Sequence, residues 1–176
     1  ADLVKHMQAA VDIPVTVKHR IGIDDFDSYE FMVDFVEKVA AAGCQRFIVH
    51  ARTAWLQGLS PKQNREIPPL RYEDVYRLKQ DFSQLDIEIN GGIETLEDIQ
   101  AHLQYIDGVM IGRAFYHNPY LLAEANILWN QPVPKRSEIL AQLYPYLREQ
   151  IALGERLPTM ARHYLGLFPG LNGARQ

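Results

Sequence analysis

The sequence contains a single cysteine, Cys44, among 176 residues. One cysteine excludes an internal disulfide and is typical of a protein that works in a reducing compartment such as the cytoplasm. The sequence also lacks a secretory signal and any run of about 18 apolar residues, so neither export nor a membrane span is predicted. Its net charge of -4 and pI of about 5.9 exclude a small basic nucleic-acid binder, so any RNA contact requires a local basic patch.

Short apolar runs alternate with helical patterns along most of the chain. The strand patterns are IPVTVKHRIG, RFIVHAR, LDIEING and DGVMIGRA. Apolar residues at helical spacing follow each run. Ser28 or Asp27 is the expected cap of the first of these helices, and Thr95 with Asp98 forms a capping box in a later one. Strands that alternate with helices predict parallel β-α-β units, and therefore an α/β fold.

One face of each predicted strand is apolar, and the other carries polar side chains or glycine toward its carboxyl end. This pattern is typical of a (β/α) barrel, whose active site lies at the carboxyl ends of the strands. The candidate residues at those ends are Lys18, Arg20, His50, Arg52, Asn90, Gly91, Gly92, Gly112 and Arg113. Gly91 and Gly92 allow a ligand to approach the backbone closely, and the Gly112-Arg113 pair repeats this arrangement. Together they predict an anionic, phosphate-bearing ligand.

Four stretches of the chain resemble the tRNA-dihydrouridine synthases. They are VKHRIG, IVHARTAWLQGLSPKQNREIPPL, INGGI and VMIGRAFYHNP, and the HARTAWLQGLSPKQNR segment resembles the A-type enzymes in particular. The resemblance implies an FMN enzyme that reduces a uridine of the tRNA D-loop, at positions 20 and 20a, with NADPH as electron donor. It also implies a flavin-binding TIM barrel followed by an α-helical RNA-binding domain.

The resemblance also assigns roles to individual residues. Lys18 is expected to contact the flavin ring and His50 the flavin, and a cation beside the ring stabilises the charge of its reduced form. The residues expected near the flavin phosphate are Asn90, Gly91, Gly92, Gly112 and Arg113. Lys62 and Arg65 match positions expected to contact tRNA. Trp55, in the same loop, either stacks on a base or packs against the barrel rim.

The family's catalytic acid is a cysteine in an Asn-x-Gly-Cys-Pro type motif, which this sequence lacks. Cys44 precedes the second strand, at the end opposite the site, so we expect it to be a small buried residue rather than a catalytic one. We therefore expect no catalytic residue in this chain, with the catalytic cysteine lying upstream, and we expect the isolated chain to be inactive. No metal site is predicted.

The strand count leads to a further expectation about the chain. A complete barrel needs eight strands, and four are found here. We expect a fragment in which residues 1–130 form strands five to eight and residues 131–176 begin the helical tRNA-binding domain, whose HYLGLFPGLNGAR motif lies in the tail. A half-barrel has two open sheet edges, so we expect it to associate with itself if it is soluble.

Two alternatives stay open. Another FMN barrel oxidoreductase, similar to dihydroorotate dehydrogenase, also uses lysine and glycine-rich phosphate loops, although a small substrate does not require the long loop or the basic tail. A non-catalytic tRNA-binding remnant is favoured by the missing cysteine. Among the histidines without motif support for catalysis, we expect His19 on the outward face of its strand and His102 at a solvated helix position.

Overall fold

The computed structural model describes residues 1–169, and the chain divides into two compact units. The first unit comprises residues 1–93 and 101–110, and the second comprises residues 94–100 and 111–176. The family resemblance implies a boundary after residue 130, between the barrel and the RNA-binding domain. The two compact units do not test that boundary, which stays a prediction. The part of the tail motif after Pro169 lies outside the described residues.

A sheet of four parallel strands in sequential order forms the first unit. The strands are β1 Val17–Ile23, β2 Arg46–Ala54, β3 Asp86–Asn90 and β4 Gly108–Met110. The helices of this unit are α1 Asp2–Ala10, α2 Tyr29–Ala40 and α3 Tyr72–Asp81, whereas most of α4, Leu96–His102, belongs to the second unit. The predicted parallel α/β arrangement is thus confirmed, whereas the assignment of these strands as five to eight of a barrel stays a prediction.

The core lies between the sheet and the helices that pack on it. Alternation along β2 and β3 turns Phe47, Val49, Ile87 and Ile89 to one face, where all four are fully buried. Helices α2 and α3 pack against the sheet. Burying a side chain of this size contributes about 2 kcal/mol, so this face accounts for much of the unit's stability.

The predicted helix caps are present. The Ser28 hydroxyl accepts a hydrogen bond from the backbone N–H of Phe31 at the start of α2. Thr95 and Asp98 exchange side-chain and backbone hydrogen bonds at the start of α4, each at 3.1 Å. Gly43 follows α2 with a φ of +104°, a conformation that favours glycine.

The described part of the second unit is mainly helical. Its helices are α5 Arg113–His117, α6 Tyr120–Glu124, α7 Arg136–Ala152 and α8 Leu157–Ala161. The guanidinium of Arg136 lies 3.6 Å from the ring centre of Tyr120, and its Nε donates to the carbonyl of Leu167 at 2.8 Å. Arg136 therefore joins the start of α7 to α6 and to the end of the described chain. Within residues 1–169, no helix combines the length and the apolar character needed to cross a membrane.

The environment predicted for His102 is wrong, and the one predicted for His19 is confirmed. His102, expected to be solvated, is only 6% exposed because the end of α4 packs against α3, where its Nδ1 lies 2.6 Å from the hydroxyl of Tyr76. His19 lies on the outward face of β1 as predicted. There its ring contacts the rings of Phe35 and Phe47.

Candidate functional site

The carboxyl ends of β1, β2 and β3 bring polar side chains into one row. In the parallel register Arg20 is opposite His50, and His50 is opposite Asn90. Lys18 lies two residues before Arg20, and its Nζ donates a hydrogen bond to Oδ1 of Asn90 at 2.9 Å. The Asn90 amide donates in turn to the carbonyl of Met110 at 2.8 Å. A hydrogen-bonded chain thus crosses the sheet from β1 to β4.

These side chains line an open cleft of about 760 Å³. That volume is within the range of small-molecule sites, about 300–1,000 Å³. The lining includes Lys18, Arg20, His50, Asn64, Arg65 and Asn90. The structure therefore brings together three of the residues predicted for the flavin and one predicted for tRNA.

The cleft is cationic. Partial burial and the nearby charge of Arg20 lower the pKa of Lys18. Burial, with repulsion from Arg52 and Arg65, likewise lowers the pKa of Arg20. No carboxylate is found among the described lining residues. Because the positive groups repel one another, an anionic ligand would relieve that repulsion.

Both the backbone conformation and the surrounding packing require glycine at the two positions that follow β3. Gly91 and Gly92 have φ values of +118° and +68°, which residues with a Cβ rarely adopt. A Cβ on Gly91 would also lie 2.7 Å from the His50 ring, and one on Gly92 would lie 2.6 Å from Leu70. The protein's own packing thus accounts for both glycines, and the predicted approach of a ligand remains a prediction.

Hydrogen bonds from the strand ends hold the long loop between β2 and α3. Nη1 of Arg20 donates to the carbonyl oxygens of Thr53 at 2.9 Å and of Asn64 at 2.8 Å. Oδ1 of Asn64 accepts from the backbone N–H of Trp55, and its Nδ2 donates to the Trp55 carbonyl. Asn64 is a residue that sequence reasoning missed, since a loop asparagine carries no signal of what it will contact.

Arg52 lies near the carboxyl end of β2, as predicted, but its side chain binds the loop that follows. The register of β1 with β2 shifts between Arg20 and Gly22, so that Gly22 is opposite Thr53, the residue after Arg52. Arg52 is 9% exposed, and its Nη1 donates to the carbonyl oxygens of Glu66, at 3.1 Å, and Pro68. It therefore anchors the far end of the loop and is absent from the described cleft lining.

The two residues predicted for tRNA lie in this loop. Arg65 ends a short 3-10 helix, Gln63–Arg65, and lines the cleft. Lys62 precedes that helix, and both residues are exposed. Trp55 is 36% exposed, and the hydrogen bonds described above hold its backbone beside Asn64. Two exposed cations on a constrained loop are suited to contacts with phosphate groups.

Gly112 and Arg113 belong to the second unit. Gly112 precedes α5, and Arg113 is that helix's first residue. Gly112 has a φ of -108°, and a Cβ built on it would meet no described atom within 4 Å. In contrast to Gly91 and Gly92, packing within the described residues does not require this glycine.

Cys44 lies at the amino end of the sheet, opposite the cleft. It is fully buried, and its Sγ is within hydrogen-bonding distance of the carbonyl oxygens of Val15 (3.6 Å) and Arg46 (3.2 Å). Burial raises the pKa of its thiol. The prediction of a buried residue is confirmed. Residues 1–169 contain no cluster of three or more His, Cys, Asp or Glu side chains that could hold a metal ion.

Comparison with known proteins identifies relatives of the whole chain. Residues 1–176 match the profile of the Dihydrouridine synthase (Dus) family. The chain is 58% identical over 180 residues to the tRNA-dihydrouridine(20/20a) synthase of Vibrio parahaemolyticus, with 100% of this chain and 55% of that protein covered. It is 61% identical over 173 residues to the synthase of the same name from Synechocystis, with 97% of this chain and 52% of that protein covered. The chain thus spans about half the length of the curated relatives it matches, and it belongs to the dihydrouridine synthase family.

Proposed function

We propose that this chain carries the flavin-binding and tRNA-contacting part of an A-type tRNA-dihydrouridine synthase. The reaction is the reduction of uridine to 5,6-dihydrouridine at positions 20 and 20a of the D-loop. The names of the relatives support this proposal. The observation that carries it is the cationic cleft in which Lys18 is hydrogen-bonded to Asn90 beside His50.

The donors in the cleft fit FMN. Bound FMN would supply hydride-transfer chemistry, with NADPH as the electron source. Lys18 would offer a cation to the part of the ring that gains negative charge, and its ammonium is held by a hydrogen bond to Asn90. His50, between β1 and β3 in register, would contact the flavin from the floor of the cleft. The cleft volume is also sufficient for a ligand of drug-like size.

Two glycine-containing turns are proposed for the flavin phosphate. The first is formed by Asn90, Gly91 and Gly92, and the second by Gly112 and Arg113. Support for the second comes from Gly112, whose lack of a side chain the described residues do not require. Arginine suits phosphate because its planar guanidinium offers several parallel donors.

Lys62 and Arg65 are proposed to contact the tRNA backbone. Arg65 both lines the cleft and is exposed, so it can interact with a nucleotide that enters the cleft from solvent. The hydrogen bonds of Arg20 and Asn64 keep this loop near the cleft. We place the reaction in the cytoplasm, where tRNA is available and a protein with one buried thiol needs no oxidising environment.

We also propose that the four strands are strands five to eight of a (β/α)8 barrel and that residues 131–176 begin a helical RNA-binding domain. The parallel, sequential strand order supports the first statement. The helices α7 and α8 support the second. Cys44 is not proposed as the proton donor of the reaction, because it is buried at the opposite end of the sheet.

A graft tests the proposed reaction. This chain replaces the matching 55% of the Vibrio parahaemolyticus synthase, and the graft is expressed in cells that lack dihydrouridine at positions 20 and 20a. We expect the modification to be restored, and we expect it to be lost when Lys18→Met is introduced. A folded graft that binds FMN but leaves the tRNA unmodified would contradict the proposal. Oxidation of dihydroorotate by the same graft would instead favour the small-substrate alternative.

A further inference from the structure

We infer that Tyr72 is a positioning residue that orients the Gly91–Gly92 peptide for phosphate recognition. The inference rests on the proposed function, because it concerns one of the two turns assigned there to the flavin phosphate. Tyr72 is the first residue of α3, and its hydroxyl donates a hydrogen bond to the carbonyl oxygen of Gly91 at 2.7 Å. The contact joins the helix after β2 to the turn after β3.

The orientation of one peptide group determines what this turn presents to a ligand. In a trans peptide the C=O and the following N–H point in opposite directions. Since the Gly91 carbonyl points to the Tyr72 hydroxyl, the N–H of Gly92 points away from Tyr72. Backbone N–H groups of glycine-containing turns are common donors to phosphate groups. The hydrogen bond from Tyr72 therefore determines on which side of the turn the N–H of Gly92 is available to a phosphate group.

A side-chain contact is needed here because two adjacent glycines restrict their own backbone very little. The φ values of +118° and +68° are one choice among several that glycine accepts. Tyr72 and Leu70 occupy the space beside the turn, since a Cβ on Gly92 would lie 3.0 Å from the Tyr72 hydroxyl and 2.6 Å from Leu70. The packing and the hydrogen bond together hold a single peptide orientation.

An aromatic cluster holds the Tyr72 ring. The ring of His102 meets it edge-on, with 4.5 Å between centroids and 74° between planes. His102 is buried, and its Nδ1 lies 2.6 Å from the hydroxyl of Tyr76. Tyr76 in turn stacks on Tyr105 at 4.5 Å. Such packing restricts the Tyr72 ring, so that its hydroxyl stays within reach of Gly91.

The test is the substitution Tyr72→Phe, which removes one oxygen and keeps the ring. The control is Tyr29→Phe. It removes the hydrogen bond that the Tyr29 hydroxyl donates to Oδ2 of Asp81, the last residue of α3, at 2.6 Å. FMN and riboflavin, which lacks the phosphate, are titrated into the 176-residue chain and both variants, with flavin fluorescence as the readout. We expect Tyr72→Phe to weaken FMN binding roughly tenfold, because a change of that size corresponds to the free energy of one hydrogen bond. Riboflavin binding should stay unchanged. Tyr29→Phe should change neither.

A second measurement is independent of flavin. Amide hydrogen exchange of residues 90–93 should become faster in Tyr72→Phe and stay unchanged in Tyr29→Phe. Unchanged exchange in Tyr72→Phe, or an equal loss of FMN and riboflavin binding, would overturn the inference. If the unsubstituted chain bound no flavin, the proposed flavin site of this chain would fail, and the exchange measurement alone would decide whether Tyr72 holds the turn.

Discussion

The ammonium of Lys18 and the side-chain oxygen of Asn90 are 2.9 Å apart, although a whole strand lies between β1 and β3. The lysine side chain reaches across β2 beside His50, which is the register neighbour of Asn90. Its bond to Oδ1 leaves the Asn90 amide nitrogen to donate to Met110. One cation therefore fixes the orientation of the asparagine that begins the Asn90–Gly91–Gly92 turn.

Replacing this cation should weaken flavin binding. Lys18→Met removes the charge and the hydrogen bond to Asn90 while keeping most of the side chain's length. We expect retention of FMN after desalting, followed by its visible absorption, to fall with at least a tenfold loss of affinity. The control is Lys38→Met, which breaks only an exposed ion pair with Asp34 on α2. Equal retention of flavin by the Lys18→Met and unsubstituted chains would contradict the role assigned to Lys18.

The ion pair between Lys79 and Asp107, 2.8 Å long, should make stability depend on pH. Burial acts to raise the pKa of Asp107, but the hydrogen bonds from Lys79 and from the Ile87 N–H together lower it. A carboxyl whose folded pKa is depressed stabilises the fold above its unfolded pKa, and this contribution is lost as pH falls through the folded pKa. We expect Asp107→Asn to lower the free energy of unfolding in urea by about 1 kcal/mol at pH 7. The difference should vanish in acid, and a difference that persists there would exclude this cause.

The loop cations should contribute to tRNA affinity mainly through charge. Lys62→Ala and Arg65→Ala should each weaken tRNA binding and reduce the slope of log affinity against log salt concentration by about 0.7 to 0.9. Filter binding at several salt concentrations measures both effects, with Lys38→Ala as the control for net charge. An affinity loss with no change of slope would indicate that the residue acts by shaping the loop rather than by contacting phosphate.

The two outer strands of the sheet predict association between copies of the chain. Among the described residues, β1 and β4 each pair with another strand on one side only. Unpaired parallel edges are ready to pair with another chain. Light scattering at micromolar concentration should give a mass above 20.2 kDa that decreases on dilution. A monomeric mass throughout would contradict the prediction.

Sequence periodicity was sufficient to predict where the strands lie and at which end the polar side chains gather. The alternation of apolar and polar residues in VKHR and FIVHAR defines two faces, and parallel strands bring their carboxyl ends to one edge. This placed Lys18, His50 and Asn90 in one cleft. Contacts between distant segments could not be predicted in this way, because the bond from Tyr72 to Gly91 and the burial of His102 depend on how helices dock. The hydrogen bonds from Arg52 to the carbonyl oxygens of Glu66 and Pro68 likewise join segments far apart in the sequence.

The guanidinium of Arg20 belongs both to the cleft and to the loop, since it lines the first and donates to Asn64 in the second. A cleft ligand that accepts a hydrogen bond from this guanidinium would compete with Asn64, and would thereby change the free energy of the contact between Arg20 and the loop. By thermodynamic linkage, a nucleic acid that depends on the loop's position then changes the affinity of the cleft ligand by the same factor. Binding of the cofactor and binding of RNA would therefore be coupled through the side chain of Arg20. The strength of the coupling would depend on how its hydrogen bonds are divided between the cleft ligand and the loop.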